Sequence, residues 1–166
     1  MPKPVLPYNL LKYDNGQAYF ETDHGHIYTY NFENVTSAVI EHVSPLLAAY
    51  DITFYYFGFT PDSSENLKFD PRISSTINNI ANKFFNDKNR VLLYVCDSMD
   101  GRAKARQKLF AHWLHNNDYY TLHKVNIEIG EDVIYCGVIT RADLPDYNIL
   151  DSEFIAKAED IFTKKF

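Results

Sequence analysis

The stretch from Phe69 to Cys96 constrains the fold more than any other part of the chain. Asp70 stands where a helix N-cap is needed, and Pro71 follows at the first helical position, where a missing N–H costs nothing. Ile73, Ile77, Ile80, Phe84 and Phe85 then fall on one face of a 3.6-residue period. After a polar turn comes Arg90-Val91-Leu92-Leu93-Tyr94-Val95-Cys96, a nearly continuous apolar run. Such a run reads as a central strand covered on both faces or at its ends. Upstream, residues 52–60 (ITFYYFGFT) form a second buried strand. Strand, helix and strand over residues 52–96 predict a βαβ unit, with a right-handed crossover if its strands are parallel.

Hairpins flank this unit. Residues 17–22 and 26–32 read as strands around Asp23-His24-Gly25, where Gly25 can take a positive φ. Residues 35–49 keep helical spacing at Val35, Val39 and Val43 but are rich in β-branched residues and interrupted by Pro45, so a short helix is expected. A helix is expected over about 100–116, then strands near 119–128 and 132–140, with Gly130 at the turn between them. A last helix should start at an Asp151 cap stapled by Leu150 and Ile155, and bury Phe154, Ala158, Ile161, Phe162 and Phe166. The pattern predicts an α+β fold: a mixed, mostly antiparallel sheet with about three helices, mainly packed on one face.

No linker-like stretch divides residues 1–166, so one domain is expected, and the 46% hydrophobic content supplies its core. With 16 Lys+Arg against 22 Asp+Glu, the net charge of −6 disfavours a nucleic-acid partner held by counterion release. No apolar run approaches the ~20 residues of a membrane span, and Pro2, Pro4 and Pro7 interrupt any signal-like segment. Cys96 and Cys136 match no metal spacing and read as buried thiols in a reducing cytoplasm. The pairs His24/His26 and His112/His115 are surface histidines or at most half of a metal site; no metal or other cofactor is expected.

The segment CDSMDGRAKARQKLFAHWL, residues 96–114, carries the candidate site. A strand ends at Cys96 and a polar stretch opens a helix, the place where many α/β sheets bind ligands. Arg102 and Arg106 fall within the apolar arc of Ala103, Leu109, Phe110, Trp113 and Leu114, while Lys104 and Lys108 lie opposite. Guanidinium groups in such an arc need a partner. The plainer reading is a lattice with Asp97 and Asp100. The alternatives are a site for a small phosphorylated or carboxylated ligand made by Asp97, Ser98, Asp100, Arg102 and Arg106, or a surface for a protein partner. Asp97, Asp100, Asp70 and Glu65 lie in two loops without a magnesium-site spacing, and no catalytic residue is nominated.

The strand followed by C-D-S-x-D-G-R-x-x-x-R-x-x-x-F-x-x-W resembles a family of short bacterial proteins classed as a domain of unknown function. The aromatic hairpin near 18–32 and the F-D-P-R-I helix start at Phe69–Ile73 share the resemblance, whereas residues 33–50 depart from it. It implies a coherent fold and no particular activity. The expected function is a non-enzymatic cytoplasmic interaction or regulatory module, with an enzyme or sensor for a small anion as the alternative.

Overall fold

The computed structural model describes residues 5–42, 49–62, 70–96, 118–129, 131–158 and 160. Its strands are β1 (Leu11–Lys12), β2 (Ala18–Glu21), β3 (Ile27–Asn34), β4 (Thr53–Pro61), β5 (Arg90–Cys96), β6 (Tyr120–Ile129) and β7 (Asp132–Arg141). They form one sheet in the order β1-β2-β3-β4-β5-β7-β6. The described helices are α1 (Thr36–His42), α2 (Pro71–Phe84) and α3 (Tyr147–Glu153), the last followed by a 3₁₀ turn at Ile155–Lys157. The fold is α+β. Among the described strands only β4 and β5 pair in parallel, so the predicted βαβ unit is present with α2 as its crossover.

Local chemistry accounts for these elements. Asp70 caps α2, its side chain accepting the Arg72 N–H at 2.9 Å, with Pro71 opening the helix. Ile73, Ile77, Ile80, Phe84 and Phe85 are all buried, as the spacing requires. Gly25 has φ +81° at the β2–β3 turn, and Gly16, with φ +86°, turns the chain between β1 and β2. The two-residue strand β1 has no sequence periodicity to announce it; it exists because that turn sets Leu11 against Tyr19.

Alternation along β4, β5 and β7 splits the core into two layers. On one face Phe20, Tyr28, Phe57, Leu92, Tyr94 and Ile139 pack under α2. Aromatic rings cross this face as a row: Phe20 on Tyr28 at 5.3 Å, Tyr28 on Phe59 at 5.2 Å, Phe57 on Phe32 at 5.0 Å, and Phe32 on Phe84 at 4.5 Å. On the other face Phe54, Val91, Leu93 and Val138 pack against Val39 of α1, Leu150 of α3 and Phe154.

Two details of the sequence reading are corrected. The described helices do not gather on one face: α2 covers one, and α1 and α3 cover the other. The central strands are apolar on both sides, and each side must be removed from water. The last helix begins at Tyr147 after Asp146, and Asp151 lies inside it rather than capping it. Starting one turn earlier lets Leu150 and Phe154, four residues apart and both 0% exposed, point into the same layer. Gly130, the expected helix over 100–116, and Ile161, Phe162 and Phe166 lie outside the described residues. Cys136 is buried on β7 opposite Val95, while the side chain of Cys96 is outside the described set. No helix among the described residues is long and apolar enough to cross a membrane.

Candidate functional site

Where α2 ends, the aromatic face opens into a groove of about 280 Å³ lined by Leu10, Tyr30, Phe32, Tyr55, Ile80, Lys83, Phe84 and Arg90. Its origin is local. Tyr30 and Phe32 alternate on β3 and share a face with Tyr55 of β4 through the antiparallel register. The Phe84 ring, in the last turn of α2, stacks on Phe32 and meets Tyr55 edge-on at 5.2 Å. Leu10 adds to the lining from the N-terminal segment.

Two cations stand at this groove. Lys83 is exposed in the last turn of α2, a position that suits the negative end of the helix dipole. Arg90 opens β5 and donates from Nη1 to the Phe84 carbonyl at 2.9 Å. Its guanidinium carbon lies 5.5 Å from the Tyr55 ring centre and 5.4 Å from that of Phe84. Neither cation forms an ion pair among the described residues. Burial raises the pKa of the Tyr30 phenol above its ordinary value.

Two other polar groups are built differently. Near the start of α2, the Tyr8 hydroxyl donates to Asp70, and Arg72 lies 3.9 Å over the Tyr8 ring while reaching the carbonyls of Leu6 and Pro7 and the Asp23 carboxylate. Burial raises the Tyr8 pKa, and its hydrogen bond to Asp70 and that residue's charge push the same way, against the backbone hydrogen bond at Asp23. Every charge in this network has a protein partner, so it ties the N-terminal segment to α2. On the other face, the Tyr147 hydroxyl lies 3.0 Å from His123 Nε2. Burial lowers the His123 pKa, and the Asp151 charge opposes it more weakly.

Of the residues nominated from sequence, Asp97, Ser98, Asp100, Arg102 and Arg106 lie outside the described residues, as do Glu65, His112 and His115. The frame around them is described: Cys96 ends β5 at the carboxyl end of the parallel pair, the same end at which β4 leads toward the α2 cap. His26 Nδ1 lies 3.6 Å from Asp62, and no group of three or more His, Cys, Asp or Glu gathers among the described residues. The groove was not nominated from sequence. Its only sequence signals are the Tyr30/Phe32 alternation and two cations seven residues apart around a turn, and neither reveals that β3 and α2 meet.

Together these features define a class: an α+β protein with a mixed sheet and an aromatic, cation-edged groove at the end of its crossover helix. The chain belongs to a family of unknown function, DUF6169, which it matches over residues 69–155. That span carries Ile80, Lys83, Phe84 and Arg90 of the groove and the whole Asp97–Arg106 segment, while Leu10, Tyr30, Phe32 and Tyr55 precede it. Comparison with curated proteins finds no match.

Proposed function

We propose that this protein is a non-enzymatic binding or regulatory module of the bacterial cytoplasm. The observation that carries the reading is the groove at the end of α2, whose rings supply contact area and whose two cations lack an ion-pair partner among the described residues. Such walls favour holding a ligand over transforming it, because they offer orientation and charge without a nucleophile–base pair. The test is a thermal-shift panel of small acids, nucleotides, sugar phosphates and peptides, with each hit recovered and weighed by mass spectrometry. A hit returned unchanged supports a binding module. Conversion to product overturns it.

A second reading, a sensor or enzyme for a small anion at Asp97, Ser98, Asp100, Arg102 and Arg106, is favoured by the topology at Cys96. The segment leaves β5 at the carboxyl end of a parallel pair, the end where open sheets bind ligands. An Arg106→Ala variant that stays folded and loses a hit would support this site. A destabilised variant would support the Asp–Arg lattice.

A further inference from the structure

We infer that the groove at the end of α2 takes a small monocarboxylate carried on one flat apolar ring. The inference rests on the binding-module reading and names its ligand class. Size comes first. About 280 Å³ lies just below the usual range for ligand pockets, about 300–1,000 Å³, and suits a single ring better than a nucleoside or a peptide. The walls come second. Phe32, Tyr55 and Phe84 already stack face-on and edge-on with one another, and a further ring can join in the offset geometries that aromatic groups prefer.

Charge decides the rest. Arg90 is held by one N–H on the Phe84 carbonyl, and no second hydrogen bond of its guanidinium is made to a described residue. A carboxylate matches the remaining fork, with Lys83 adding a second, flexible positive charge. The α2 C-terminus places its partial negative charge beside the same site. That partial charge opposes any bound anion and is outweighed by the two cations; the carboxylate is favoured by shape, its two coplanar oxygens matching the edge of the planar guanidinium.

The experiment is a calorimetric or NMR titration of the full chain with phenylacetate, 2-phenylethanol, acetate, phenyl phosphate and a short peptide ending in phenylalanine. Wild type is compared with Lys83→Gln and Leu10→Trp, both with melting temperatures checked. Phenylacetate should bind saturably and at least about tenfold more tightly than the alcohol, as expected for a charge-assisted pair. Lys83→Gln should weaken it several-fold, Leu10→Trp should block it, and acetate should not bind. Equal binding of acid and alcohol, insensitive to Lys83, would overturn the carboxylate class and leave the groove as a recognition surface. Tighter binding of phenyl phosphate or of the peptide would overturn the class in the same way. Phenylacetate binding unaffected by Leu10→Trp would overturn the location, and the binding-module reading that rests on it. Absence of binding by every probe would overturn the inference, while the broader panel still judges the module.

Discussion

Arg72→Ala should destabilise the protein by about 2–3 kcal/mol, mostly through contacts other than its ion pair. The side chain makes three kinds of contact. Its guanidinium lies 3.9 Å over the Tyr8 ring, which contributes about 0.5–1 kcal/mol at a partly exposed site. Nε and Nη2 donate to the carbonyls of Leu6 and Pro7 at 3.0 and 3.3 Å, each about 0.5–1.5 kcal/mol net. Nη1 reaches Asp23 at 3.0 Å, but the Asp23 side chain is 69% exposed, so this pair belongs at the low end of about 0.2–1 kcal/mol. Arg72→Lys keeps the charge but cannot serve three acceptors in divergent directions, and should lose about half as much as the alanine variant. Asp23→Asn should cost no more than about 0.5 kcal/mol. Urea denaturation of the three variants at low and high salt checks this. If Asp23→Asn costs as much as Arg72→Ala, and high salt erases both effects, the ion pair dominates and the reasoning fails.

Three further outcomes are expected. Gly137→Ala should cost about 1–3 kcal/mol, because a new Cβ would overlap the ring of Tyr94, which is 3% exposed, whereas Gly58→Ala meets only the amide end of the exposed Asn31 and should be near neutral; equal urea midpoints would refute the packing argument. Because burial lowers the His123 pKa in the folded state, the unfolded chain binds more protons between the two values, so this contribution is intact above the ordinary imidazole range and is lost as pH falls through the folded value. Among the described residues the groups facing His123 are Tyr147 and Asp151, and His123→Gln should flatten the fall in stability on acidification; an unchanged slope would refute the assignment. From the helical phase of residues 102–114, Arg106→Ala should cost on the order of 3 kcal/mol if its pair is buried, against no more than about 0.5 kcal/mol for Lys104→Ala or Lys108→Ala; matching denaturation midpoints would overturn that phase.

What the sequence disclosed followed the range over which its signals act. The α2 cap, its apolar face and the two-sided strand β5 were legible because each rests on residues a few positions apart: Asp70 with Arg72, Ile73 with Ile77 and Ile80, Val91 with Leu92. The short helix over 36–42 was legible despite its β-branched residues because Val35 and Val39 keep one face, and both are buried against Phe54. Strand β1 was not, since two residues carry no period and their position depends on a turn. The division of helices between the two faces was not read either, although the doubly apolar runs in β4, β5 and β7 already required cover on each side. The groove lay furthest from reach. Lys83 and Arg90 have ordinary local explanations, a cation in the last helical turn and a donor to a C-terminal carbonyl, so neither stands out in the sequence. Only the register that sets Tyr30 and Phe32 beside Tyr55, under the end of α2, turns two helix-end cations into the edge of an aromatic groove. A site of that kind is a property of the pairing between β3 and β4, so no motif within one segment can encode it. The same argument explains why the motif-bearing stretch Asp97–Arg106 drew attention from sequence: its residues are consecutive, and consecutive residues are what sequence reasoning sees.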